Sequence, residues 1–267
     1  MTSLGTSNSD ESRDPRLRVF MNLQAFGDMP QSADGLKAIR DADYAGVQLG
    51  WQIDRAQLDE AREAGLECLT LHVGWGTETD DEAAALIAAI LEASTQFSIP
   101  LYPETHRATI FQDPWRTVQF LQRFPELEFN GDFSHWYTGT EMVYGGFENK
   151  MEFFRPVLGR IGFLHGRIGN PGCMQVDVGD GSAEGRPYVA HFRALWTESF
   201  LGYLLRRPLS DRFCFTPELL GPEFYYARVS GGREESDRWE QSQVLVRIAR
   251  ECFAEARRRW ESPNQPS

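Results

Sequence analysis

Short apolar runs that stop at an acid or an imidazole recur four times along this chain. Leu101-Tyr102-Pro103 runs into Glu104-Thr105-His106, and Leu127-Glu128-Phe129-Asn130-Gly131 runs into Asp132. Ile161-Gly162-Phe163-Leu164 runs into His165, and Phe213-Cys214-Phe215-Thr216-Pro217 into Glu218. Each run is too short for a buried helix and has the length of a buried strand. Between them lie helical segments. The pattern predicts strands near 17–23, 46–49, 66–73, 99–104, 127–132, 161–165 and 212–218. It predicts helices near 33–44, 54–64, 80–97, 114–123, 148–157, 188–206 and 238–260. Asp113-Pro114 and Gly65 mark one helix start and one helix end. Strands that alternate with helices imply a parallel sheet covered by helices, here a TIM-type (β/α) barrel. Seven strands are readable, so an eighth is irregular or missing.

The chain has 267 residues and 41% hydrophobic residues, which suits one such barrel. No linker or composition break divides it, and residues 17–262 read as a single domain. Residues 1–16 and 263–267 read as disordered tails. The net charge is −12. Nucleic-acid affinity comes mostly from Lys and Arg on phosphates, so this balance argues against nucleic acid and against anionic membranes. No apolar run approaches the roughly 20 residues of a membrane span. Cys68, Cys173, Cys214 and Cys252 are widely spaced and give no disulfide framework. A cytoplasmic protein is the expectation. No phosphate-binding glycine loop is present.

The C-terminal strand ends carry the active site in barrels of this type. Trp51 follows the second strand, and His72 and Trp75 the third. Glu104 and His106 follow the fourth; Asp132, His135 and Trp136 the fifth; His165 and Arg167 the sixth; Glu218 the seventh. Carboxylates converging there would repel each other unless a cation neutralised them. Glu104, Asp132, His165 and Glu218 make an oxygen-rich set with one imidazole. That set favours Mn²⁺, Mg²⁺ or Co²⁺, with Zn²⁺ also compatible. Trp51, Trp75 and Trp136 are candidate walls of a substrate pocket. His72, His106 and Gln175 are further candidates for substrate contact. Phe224-Tyr225-Tyr226 is a candidate lid or subunit contact, which would allow a homodimer.

Pro103-Glu104-Thr105-His106-Arg107, Gly131-Asp132-Phe133-Ser134-His135, His165-Gly166-Arg167-Ile168-Gly169 with Gln175-Val176, and Thr216-Pro217-Glu218 resemble the xylose isomerase-like TIM-barrel superfamily. Within it the closest resemblance is to sugar phosphate isomerases and epimerases. The resemblance implies Glu104, Asp132, His165 and Glu218 as metal ligands, and His135 and Arg167 as substrate contacts. It implies proton transfer between Glu104 and Glu218 through an enediolate, on a keto sugar or related polyhydroxy-ketone. An inosose dehydratase-like reaction and a non-catalytic metal-binding barrel are the alternatives. An endonuclease of the same superfamily would need further His and Asp ligands that are not found. Two departures flank the site: Gly166 stands where alanine is expected, and Gly221-Pro222-Glu223 replaces a more proline-rich turn.

Overall fold

The computed structural model describes residues 14–23, 32–50, 58–63 and 65–262. Trp51 and the start of the helix expected near 54–64 lie outside the described residues, as do residues 1–13 and 263–267 of the expected tails. Seven strands are parallel: β1 (Leu17–Asn22), β2 (Gly46–Gln48), β3 (Leu69–Leu71), β4 (Leu101–Pro103), β5 (Phe129–Asn130), β6 (Ile161–Gly166) and β7 (Phe213–Pro217). The helices between and after them are α1 (Ala33–Asp41), α2 (Leu58–Glu63), α3 (Asp80–Phe97), α4 (Pro114–Arg123), α5 (Phe133–Gly139), α6 (Phe147–Phe153), α7 (Arg155–Leu158), α8 (Pro187–Arg206) and α9 (Arg238–Glu261).

β1 pairs with β2 on one side and with β7 on the other, so the first and last strands of the alternation are neighbours. β7 continues to β6 and β6 to β5. β4 pairs with β3, and a parallel bridge between Glu104 and Asn130 joins the end of β4 to β5. The resulting order, β2-β1-β7-β6-β5-β4-β3, is that of a barrel opened between β2 and β3. No ladder links those two strands among the described residues.

Helix ends follow local chemistry. Thr79 and Glu82 form a reciprocal capping box at α3, and Asp113 caps α4 just before Pro114. Asp237 accepts from the Glu240 N–H to start α9. Residues 14–16, expected in the N-terminal tail, are packed against the barrel through Arg16. Arg16 is buried, its carbonyl accepts from the Phe213 N–H, and its guanidinium lies over Trp260.

The alternation of strand side chains divides the core in two. Leu164, Phe213 and Phe215 belong to the large core with Trp196, Phe200 and Phe253 of the outer helices. Tyr102, Phe163 and Cys214 form a separate small cluster with Phe20 and Cys68. These five come from β1, β4, β6, β7 and the approach to β3, so this cluster plugs the barrel interior. Glu104 and His165 stand two residues beyond members of that plug, and the same period carries Cys214 through Thr216 to Glu218. The inward face therefore changes from apolar to ionisable at the C-terminal strand ends.

Gly166 has a structural reason. A Cβ there would lie 2.2 Å from Phe215 Cζ, and Phe215 is itself buried edge-on to Trp196. Gly166→Ala should cost about 1–3 kcal/mol of stability, the usual penalty of overpacking. Urea unfolding would measure it, and Phe215→Leu should recover part of the loss. No loss in the single variant would refute the clash.

Candidate functional site

One donor atom from each of Glu104, Asp132, His165 and Glu218 lies within 4.8 Å of the others. Glu104, Asp132 and His165 are buried, and Glu218 is the most open of the four. His165 Nδ1 stands 3.2 Å from Glu104 Oε2 and 3.6 Å from Glu218 Oε1. The β5 strand sets this imidazole in place. Asn130 Oδ1 accepts from the His165 backbone N–H, which turns the Asn130 amide nitrogen towards Glu104 Oε2 (3.1 Å) and His165 Nδ1 (3.0 Å). The Gln48 side chain meets His165 Nε2 from β2. The register between β5 and β6 shifts at Asn130, as strand irregularities that re-aim a side chain do.

Asp132 caps α5 by accepting from the Ser134 N–H at 3.0 Å, and Ser134 Oγ donates to the same oxygen at 2.6 Å. Its other oxygen takes Arg167 Nη2. Arg167 is buried, and the same nitrogen lies 2.9 Å from Glu218 Oε2. Arg167 Nε donates to Ser134 Oγ at 3.1 Å. One guanidinium thus holds two of the three carboxylates apart from each other.

Burial and charge pull these groups in different directions. Burial favours the neutral form of Asp132, but the Arg167 guanidinium together with His135 and His165 outweighs it and holds the carboxyl below its ordinary range. Burial likewise opposes the charge on Glu104, yet His165 and His72 keep it well below. Burial raises Glu218. His165 would be lowered by burial, but Glu218 and Glu104 push it up to about 9. His135 goes the other way, down to about 3, because burial dominates and Arg167 adds to it. His135 is therefore a neutral imidazole, 3.5 Å from Asp132 Oδ2.

The residues fit a divalent cation. Glu104 Oε1 is buried and has no hydrogen-bond partner among the described residues. The neutral His135 Nε2 lies 3.8 Å from it. An unpartnered buried carboxylate oxygen is costly unless something positive faces it. The donor set of three carboxylates and one imidazole suits a hard or borderline cation.

His72 Nε2 lies 3.3 Å from Glu104 Oε2, with most of its side chain exposed. Its ring packs at a tilt against His106, with centroids 4.0 Å apart, and His106 packs at a tilt against His135 at 3.9 Å. These three imidazoles therefore line one side of the centre. Gln175 does not reach it. Its amide nitrogen donates to the Leu220 carbonyl and its oxygen accepts from the Leu220 N–H, so it braces the loop after β7 instead. Trp136 is also elsewhere. One residue beyond His135 on α5, it is turned about a quarter of the helix away. It is buried against Phe133 and Phe154, with its indole N–H on the Phe111 carbonyl. Trp75 is 81% exposed, standing in solvent instead of walling a pocket. His191 is held by Tyr137 and Phe147, in a structural setting.

Asn130, Gln48 and Ser134 complete the site without having been singled out from the sequence, and Tyr226 of the Phe224-Tyr225-Tyr226 segment joins it through His106. A polar residue inside an apolar strand was the available signal for Asn130 and Gln48, since buried amides need partners.

Fold and site together define the chain as a parallel β/α protein that gathers three carboxylates, one imidazole and one guanidinium at the C-terminal ends of its strands. No family model matches the chain, and no curated protein does. Two solved structures align with most of it. One is the apo form of 3-keto-D-glucoside 4-epimerase from E. coli, with 10% identity over 91% of this chain and 99% of that one, at a TM-score of 0.42. The other is a xylose isomerase-like TIM barrel protein from Mycobacterium smegmatis in complex with magnesium, with 14% identity over 90% of this chain and 72% of that one, at a TM-score of 0.40. The reading of the site rests on its own geometry.

Proposed function

We propose that Glu104, Asp132, His165 and Glu218 hold one divalent cation, Mn²⁺, Mg²⁺ or Co²⁺ by donor type, and that the protein is an isomerase or epimerase of a keto sugar or related hydroxy-ketone. The observation that carries this is the convergence of four donor atoms within 4.8 Å, one of whose carboxylates has a buried, unpartnered oxygen. A cation bound there would act as a Lewis acid, polarising a substrate carbonyl and acidifying the neighbouring C–H.

The chain's own residues supply the rest. Glu218 is the least buried ligand, and burial lifts its carboxyl towards the range a proton carrier needs. It takes the proton from the carbon next to the carbonyl. For epimerisation Glu104 passes a proton to the opposite face of that carbon, drawn from His72, whose Nε2 lies 3.3 Å from Glu104 Oε2. Neutral His135 and the open Nη1 of Arg167 hold substrate oxygens.

Mn²⁺ should stabilise the protein against heat. At a concentration about 100-fold above Kd, one bound ion adds about 2.7 kcal/mol. In a chain of this size that corresponds to a rise of roughly 5–10 °C in Tm. Differential scanning fluorimetry against an EDTA control checks it, and an unchanged Tm with every divalent ion tested would remove the metal. NMR of ketoses in deuterated water tests the reaction. Hydrogen exchange at one carbon without loss of water supports isomerase or epimerase action, and loss of water would move the assignment to a dehydratase.

A further inference from the structure

The loop after β7 lies over the carboxylate centre, and Gln175 ties both of its ends. The Gln175 side chain holds the Leu220 backbone, while its own backbone forms a parallel bridge with Ala227. Between these anchors the strap carries Tyr226, half-buried, with its hydroxyl 3.2 Å from His106 Nε2. Two guanidinium groups converge on its ring. Arg107 Cζ lies 4.7 Å from the ring centroid, and Arg167 Cζ lies at the same distance. Arg107 is exposed and makes no ion pair among the described residues. Arg167 Nη1 is buried and has no hydrogen-bond partner among them.

We propose that Tyr226 stands in for an anionic group of the substrate, a carboxylate or a phosphate, which Arg107 and Arg167 clamp once the strap withdraws. The proposal rests on the isomerase reading and names its substrate class. An aromatic face is a weak partner for a guanidinium, whereas a carboxylate or phosphate takes charge-assisted and often paired hydrogen bonds from it. Arg167 has already given Nε and Nη2 to Ser134, Asp132 and Glu218. Its remaining donor, Nη1, has no hydrogen-bond partner among the described residues, and the group lies over the ring of Tyr226. The charges agree. A divalent cation and Arg167 together balance Glu104, Asp132 and Glu218, which leaves Arg107 as the surplus positive charge at the exposed side. A neutral ketose offers these two guanidinium groups only uncharged oxygens, which accept more weakly than an anion and leave the surplus charge unbalanced. It would also have to reach ligands that are almost wholly buried beneath the strap.

Titration calorimetry on the full chain, with and without saturating Mn²⁺, tests this with 5-keto-D-gluconate, fructose 6-phosphate and fructose as probes. At least one anionic probe should bind about tenfold or more tightly than fructose. Arg107→Ala should abolish that preference while leaving fructose and Mn²⁺ affinity unchanged. Tyr226→Ala should tighten binding of the favoured anion several-fold, because the competing ring is gone. Preference for the keto acid alone assigns a carboxylate, and preference for fructose 6-phosphate alone assigns a phosphate. Equal affinity for all three probes in both series overturns the clamp, as does weaker anion binding in Tyr226→Ala. Absence of Mn²⁺ binding would instead sink the metal reading, and the metal-free series would still decide the clamp.

Discussion

Glu218→Gln should lower the rate of hydrogen exchange next to the substrate carbonyl by about 10²–10⁴-fold at saturating Mn²⁺, the usual range for removing a general acid–base group. The fold should survive. Burial already disfavours the charged form of Glu218, and an amide of the same shape can still accept from Arg167 Nη2 at the 2.9 Å distance seen for the carboxylate. Mn²⁺ affinity should fall as well, because one of four donors loses its charge. Saturation therefore has to be verified before rates are compared. Far-UV circular dichroism and the unfolding midpoint report on the fold, and deuterium incorporation by NMR reports on the chemistry. Near-normal exchange in a metal-saturated, folded variant would exclude Glu218 as the proton carrier.

Much of the architecture is legible in the sequence because the strands end abruptly. Glu104, Asp132, His165 and Glu218 are visible as polar stops to apolar runs, and the structure brings them together because each continues the inward period of its strand. α3 falls at its expected bounds, since Asp80 opens an Ala-rich stretch behind a Thr79 capping box. α5 was not legible. Phe-Ser-His-Trp-Tyr-Thr-Gly has poor helix propensity, and the turn is held by the Asp132 cap and by burial of its aromatics. The short hairpin of Val229–Ser230 and Arg233–Glu234 was missed because two-residue strands show no alternation. Its Gly231-Gly232 turn, with φ of 58° and 75°, was the one available cue. Trp136 shows the limit of reading by proximity. Adjacent to His135 in sequence, it points about a quarter turn away from it around the helix, into the core. Tyr226 and Gln175 depend on how a loop folds back across the barrel, which periodicity does not encode.

Arg167 couples the stability of the centre to its metal, and its removal should have opposite effects on the two. In Arg167→Met the buried Asp132 carboxylate keeps Ser134 but loses its guanidinium, and Glu218 loses its partner. Removing one member of a buried ion pair typically costs about 3–5 kcal/mol, because the other charge is left uncompensated. That loss is expected in EDTA. With Mn²⁺ present the carboxylates have another positive partner, so the deficit should shrink. Linkage then requires that the variant bind Mn²⁺ more tightly than the natural chain, by the factor corresponding to the stability recovered. Urea unfolding in EDTA and in Mn²⁺, with calorimetric Kd values for both proteins, closes the cycle. Equal deficits in the two media would mean that the cation does not sit among these carboxylates. A deficit near zero in EDTA would mean that Arg167 does not offset their repulsion. Turnover should fall in either medium, since the substrate oxygen that Nη1 would hold has no donor in the variant. The natural chain thus keeps a guanidinium that weakens its grip on the cation, and the separation of stability, metal affinity and turnover in one variant shows which of the three that guanidinium serves.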